Sequence, residues 1–89
     1  MMSSNKPGSI DAHVGRQLRV RRLDLKLKQA DLAHALRVSI QQVHKYETGK
    51  SSLPAVKLLV VSRALGVEPA YFFEGLEGAP ARARKPALG

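Results

Sequence analysis

The 89-residue sequence contains no cysteine. A disulfide framework and a thiolate metal site are therefore excluded. Its three histidines, His13, His34 and His44, do not stand at metal-ligand spacing. No glycine-rich phosphate loop precedes a helix, and Ser39, Ser51 and Ser52 have no His/Asp arrangement beside them. Asp24 and Asp31 read as surface charges rather than as a paired acid and base. The expectation is a protein that is not an enzyme and carries no cofactor and no metal. No apolar run approaches the roughly 20 residues of a membrane span. The start, MMSSNKPGSI, lacks the apolar stretch of a secretory signal, so the expected location is the cytoplasm. Acidic residues are also scarce: 7 Asp and Glu stand against 15 Lys and Arg, a formal net charge of +8. That imbalance predicts a polyanionic partner, nucleic acid first and an anionic membrane surface second.

The length fits one domain with a small core, which must be efficient or shared with a partner copy. Residues 1–9 are polar with Pro7 and Gly8, and are expected to form a disordered N-terminal arm. Residues 77–89 end in GAPARARKPALG, with Arg82, Arg84 and Lys85, and are expected to form a flexible basic tail. Between them, 10–76 predicts an all-α bundle of five helices, with no internal repeat and no sustained strand alternation. The first is expected over about Asp11 to Leu23, with Asp11 at its start and an inner stripe through Val14, Leu18, Arg21 or Arg22, and Leu25. The second spans Gln29 to Leu36. The third spans Ile40 to Glu47, opened by an S-x-x-Q capping box of Ser39 and Gln42 and stopped at Gly49. The fourth starts near Pro54 and stops at Gly66; the fifth is short, opening at Pro69.

The most informative stretch is Gln29 to Gly49, reading QADLAHALRVSIQQVHKYETG. It predicts two short amphipathic helices joined by a tight turn. The second turns Val43 and Tyr46 inward and leaves Gln41, Gln42, His44 and Lys45 outside. Amides and cations on a helix with an apolar back suit a nucleic-acid groove.

Three strings, LKQADLAHAL, VSIQQVHKYETGK and ALGVEPAYFF, occur here in that order and spacing. On them the chain resembles the lambda-repressor-like, Cro/Xre-type helix-turn-helix domains, over about Val14 to Leu76. The resemblance implies a compact five-helix bundle whose second and third helices form the helix-turn-helix, the third lying in the DNA major groove. It implies base contacts from Ile40, Gln41 and Lys45, with His44 beside them. Gln41 suits adenine, Lys45 guanine and Ile40 a thymine methyl. It implies phosphate contacts from Gln29, Lys28, Arg37, Gln42, Lys50 and Ser51, with Ser52 able to add one. Arg22 and Glu47 match a family ion pair between the first and third helices, which fixes orientation more than it stabilises. Arg16, Arg19 and Lys57 read as solvated charges.

The core expected on this basis is Leu32, Ala33, Leu36, Val38, Val43 and Tyr46. Leu58, Leu59, Ala64 and Leu65 come from the fourth helix, and Leu53 and Val56 contribute less. One of Phe72 and Phe73 seals the core and the other faces a dimer partner. The sequence departs from the family at Arg37 and Lys26, where glycine is usual, and at Lys28, where a capping residue is usual. The function implied is a sequence-specific double-stranded DNA-binding regulator, a repressor binding an inverted repeat as a homodimer, with no small-molecule effector. The alternative on the same fold is a protein-interaction module such as an antitoxin or anti-activator.

Overall fold

The computed structural model describes residues 7–76. Four α-helices and a terminal 3-10 helix follow one another: α1 (Pro7–Asp24), α2 (Gln29–Leu36), α3 (Ile40–Thr48), α4 (Ala55–Leu65) and the 3-10 helix Pro69–Phe73. The expected fifth α-helix is thus a five-residue 3-10 helix. With Pro69 at its start and Gly75 at positive φ behind it, that segment has room for little more than one turn. The first helix starts earlier than expected, at Pro7, within the stretch read as an arm. Residues 1–6 and the basic tail 77–89 lie outside the described residues.

Each α-helix ends in the same way. The residue at the left-handed position is Lys26 (φ 60°), Arg37 (58°), Gly49 (80°) or Gly66 (69°). One residue later, an N–H reaches back five residues to a helix carbonyl. These bonds run from Leu27 to Arg22, Val38 to Ala33, Lys50 to Lys45 and Val67 to Ser62, at 2.9–3.0 Å. This closure satisfies carbonyls that a helix end otherwise leaves bare. Glycine adopts the required φ without strain, whereas a side chain with a Cβ costs about 1 kcal/mol there. Arg37→Gly is therefore expected to stabilise the domain by about 1 kcal/mol, raising Tm by roughly 4–8 °C for a domain this small. A melt followed by circular dichroism checks this, and an unchanged or lower Tm would show that Arg37 makes compensating contacts.

The core collects Val14 and Leu18 from α1, Leu32, Ala33 and Leu36 from α2, and Val43 and Tyr46 from α3. Val61 and Leu65 from α4 and Phe72 from the 3-10 helix complete it. Phe72 is fully buried, and Phe73 is half-buried against the same cluster. The fourth helix presents a different face from the one expected. Val61, Ser62 and Leu65 are buried, Leu58 is partly so, and Leu59, Ala64 and Val56 are exposed. The run VKLLVVSRAL is apolar nearly all round, so its pattern does not define an inner side. Leu25 is also exposed, because α1 has already ended at Asp24.

The first helix and the 3-10 helix are tied together by side chains. The Gln17 amide donates to the Tyr71 carbonyl (3.0 Å), and the Tyr71 hydroxyl donates back to the Gln17 carbonyl (3.1 Å). Burial pushes the Tyr71 hydroxyl above its ordinary pKa, which keeps it a donor. His13 Nε2 lies 2.7 Å from the Glu74 carbonyl, an acceptor only, so that nitrogen carries the proton. Arg21 Nε donates to the Leu65 carbonyl at the end of α4 (3.0 Å), and Lys57 Nζ donates to the Leu36 carbonyl at the end of α2 (2.6 Å). Both are cations placed on helix C-termini, where the helix dipole favours them. Lys57 is thus half-buried and engaged rather than a free surface charge.

Candidate nucleic-acid interface

The α2–turn–α3 unit is held from behind by α1. Gly15 of α1 is buried where the helix crosses α3, and a Cβ built on it would lie 2.2 Å from the Tyr46 carbonyl oxygen and 2.7 Å from that of Glu47. At the far end of α3 the backbone of Gly49 lies equally close to α1, since a Cβ there would meet Ala12 Cα at 2.7 Å. Gly15 is not among the expected site residues; the sequence offers one signal for it, a glycine inside an otherwise well-formed helix.

Beside that crossing lies a charged cluster. Arg22 Nε donates to Glu47 Oε2 at 2.6 Å, and a second guanidinium nitrogen donates to Oε1 at 3.0 Å. The third reaches the Leu27 carbonyl at 2.9 Å. Only 9% of the Arg22 side chain and 1% of the Glu47 side chain is exposed, so water screens the pair little. The Gln29 side-chain amide also donates to Glu47 Oε1, at 2.9 Å. Glu47 therefore joins the start of α2 to α1 and to its own helix. Gln29 thus lines a cleft beside this cluster, and its side-chain amide nitrogen is already engaged.

The sequence-implied DNA residues fall in two groups. On α3, the Ser39 hydroxyl accepts the Gln42 N–H at 3.0 Å and opens the helix. The Gln42 side-chain amide makes no hydrogen bond among the described residues, so the return half of the expected box is not formed. Val43 and Tyr46 are buried, whereas Ile40 (49% exposed), Gln41, His44 and Lys45 are exposed. The Thr48 hydroxyl folds onto the His44 carbonyl at 2.9 Å.

The second group surrounds α3. Lys28, Arg37 and Lys50 are exposed; Gln29 and Ser51 are half-buried. The Ser51 N–H is directed to the Lys45 carbonyl (3.2 Å). The Ser52 hydroxyl donates to Asp11 (2.7 Å). Asp11 is thereby a cross-link from the middle of α1, not its cap, because the helix begins four residues earlier. Lys28 supplies no side-chain cap to α2. Instead Asp31 accepts the Lys28 N–H at 2.7 Å, which recovers part of the missing cap and gives that carboxylate a local role.

A cleft of about 500 Å³ opens between α1 and α3. Arg22, Glu47 and Gln29 form its polar floor, and Arg16, Arg19, His44 and Thr48 line its sides. Among the described residues no three His, Asp or Glu side chains come together to hold a metal ion. The arrangement is one of hydrogen-bond donors and cations.

A family model for helix-turn-helix domains matches residues 18–72, more than half of the chain and all of this unit. The chain belongs to the Cro/C1-type helix-turn-helix family. It is a family of DNA-binding transcription regulators, not of enzymes. This helix-turn-helix chain is 45% identical over 80 residues to y4wC, an HTH-type transcriptional regulator of Sinorhizobium fredii, covering 83% of the chain and 56% of the relative. It is 46% identical over 68 residues to a transcriptional regulator from the ATPase CF(0) region of Rhodospirillum rubrum, covering 76% of the chain and 63% of the relative. It thus spans a little over half of these curated relatives. Among solved structures it superposes on the restriction-modification controller protein C.AhdI of Aeromonas hydrophila with a TM-score of 0.68 at 28% identity. That match covers 73% of this chain and 98% of the controller. The clp gene regulator ClgR of C. glutamicum superposes equally well, with a TM-score of 0.68 at 30% identity, 72% of this chain and 83% of that one.

Proposed function

We propose that this helix-turn-helix chain is a sequence-specific regulator that binds double-stranded DNA as a homodimer on an inverted repeat and represses transcription. The observation that carries the reading is the division of α3 into two faces. Val43, Tyr46 and Glu47 are buried and fastened to α1, and Ile40, Gln41, His44 and Lys45 stand clear. Fixed by its back, such a helix can enter the major groove without repacking. In this reading Gln41 pairs with adenine, Lys45 donates to guanine and Ile40 packs on a thymine methyl, with His44 alongside. Lys28, Gln29, Arg37, Gln42, Lys50 and Ser51 contact phosphates and set the register. One short helix reads few base pairs, so pairing two half-sites about one helical turn apart supplies the specificity.

The surface that joins the two copies in this proposal is α4 with the 3-10 helix. Val56, Leu59 and Val60 are exposed on α4 (72%, 43% and 39%), and Tyr71 and Phe73 are half-buried on the 3-10 helix. In this reading the protein works in the cytoplasm, and its regulation needs no small-molecule effector.

Selection of bound sequences from random duplex DNA tests the reading. The wild type is expected to recover an inverted repeat. Gln41→Ala and Lys45→Ala are each expected to relax one base position per half-site, at a cost of about 1–3 kcal/mol. A uniform loss over all sequences would demote those residues to phosphate contacts. A binding constant independent of salt would remove DNA as the partner and favour the protein-interaction alternative. Two of the three unusual cations, Arg37 and Lys28, enter the same titration. Arg37→Gly combined with Lys28→Ser is expected to weaken binding and flatten the salt slope. That result would mean that these positions give up helix-end stability for nonspecific phosphate attraction; if neither changes, they do not.

A further inference from the structure

The cleft between α1 and α3 holds two arginines for which the fold has no use. Arg16 and Arg19 stand one turn apart on α1, both exposed, and make no ion pair among the described residues. Glu47, the one carboxylate among the residues lining the cleft, lies in the floor and is already paired with Arg22 and hydrogen-bonded by the Gln29 amide. His44 closes the opposite side from α3, with the Thr48 hydroxyl behind it. Two cations and an imidazole thus face one open cavity whose own negative charge is cancelled. A guanidinium pair of this kind matches the oxygens of a phosphodiester, which can accept two parallel hydrogen bonds from each arginine.

We infer that this cleft seats a backbone phosphate of the DNA, gripped by Arg16 and Arg19 of α1 together with His44 of α3. The inference rests on the DNA-binding reading and extends the footprint from the helix-turn-helix onto the first helix. It also changes the role of His44. Because His44 lines the cleft, its contact is with the sugar–phosphate strand that flanks the base edges read by Gln41 and Lys45. Its removal then weakens binding to all sequences alike. Electrostatic contacts of this kind bring α1 to the strand before any base is read, and so act on association as well as on affinity.

The test is a salt titration of full-chain binding to one selected duplex and one random duplex. Arg16→Ala and Arg19→Ala are each expected to lower the slope of log K against log salt by about 1, equally on both duplexes. His44→Ala is expected to weaken both duplexes by the same factor and to leave the recovered base preference unchanged. Arg63→Ala, an exposed cation on α4 outside the cleft, serves as the matched control. Since Arg16 and Arg19 are exposed, thermal melts of the variants should match the wild type. Slopes for the two arginine variants no different from Arg63→Ala would overturn the inference while leaving the DNA reading intact, provided the wild type keeps a steep slope. A wild type with no salt dependence defeats the DNA reading itself. Binding of inorganic phosphate that depends on Arg16 and Arg19, with duplex binding untouched by their loss, would assign the cleft to a small phosphorylated ligand and also overturn it.

Discussion

Gly15→Ala is expected to leave the domain largely unfolded at room temperature. In a solvent-exposed helix the same change would stabilise by about 1 kcal/mol, because alanine is the better helix former. Here the added methyl would sit 2.2 Å from the Tyr46 carbonyl oxygen and 2.8 Å from the Glu47 carbonyl carbon, both backbone atoms. Backbone cannot rotate aside as a flexible side chain can. The helices must move apart by an ångström or more, and the separation is transmitted to the Arg22–Glu47 bonds a short way along the same crossing. Overpacking of this sort costs about 1–3 kcal/mol even where neighbours are side chains, and more where they are backbone. A core of this size supplies only about 3–5 kcal/mol in total. Urea denaturation followed at 222 nm reads the loss directly. A variant as stable as the wild type would mean that α1 and α3 do not cross this closely.

The second large effect is expected at Glu47. Removal of its carboxylate by Glu47→Ala leaves the Arg22 guanidinium buried with only the Leu27 carbonyl for company, and strips the Gln29 amide of its acceptor. An uncompensated buried charge costs about 3–5 kcal/mol, comparable to the whole stability of the domain. The Coulomb attraction of the pair is not what is being lost in net terms, since much of it offsets the desolvation of both ions. The double replacement Arg22→Met with Glu47→Leu is therefore expected to recover most of the loss, because it removes both charges at once. If Glu47→Ala alone melts within about 1 kcal/mol of the wild type, the network is not closed to water as its burial implies. DNA binding offers a second readout for the double variant. Folding should return while affinity stays reduced, because Gln29 no longer has Glu47 to hold the start of α2 in place.

The helix boundaries were legible where a residue has a single local purpose. Ser39 accepts the Gln42 N–H, Gly49 and Gly66 end their helices at positive φ, and Pro54 precedes α4. The strain at Arg37 and Lys26 could also be read, since both stand where a glycine is usual and both adopt φ near 60°. The inner face of α4 was not legible, for a run with valine and leucine on every side gives no periodic signal. Asp31 and Asp11 were misread as to role because their partners are set by geometry: a reversed cap for one, a serine 41 residues away for the other. In the candidate interface, the exposure of Gln41, His44 and Lys45 follows from the spacing of Val43 and Tyr46, whereas Gln42, placed outside by the same spacing, is half-buried. The cleft did not. Arg16 and Arg19 look like ordinary solvated charges in one dimension, and their neighbours on α3 are 25 or more residues away along the chain.

The burial of Arg22 and Glu47 separates two electrostatic regimes within one small domain. Mobile ions shield exposed charges over roughly 8–10 Å at ordinary ionic strength, yet they screen little between two groups as buried as these. In the proposed complex, added salt should weaken the grip of Arg16, Arg19, Lys45 and Lys50 on the DNA while the contact that sets the angle of α3 against α1 keeps its strength. The protein can then be released from nucleic acid by concentrated electrolyte and recovered with its recognition helix still in position.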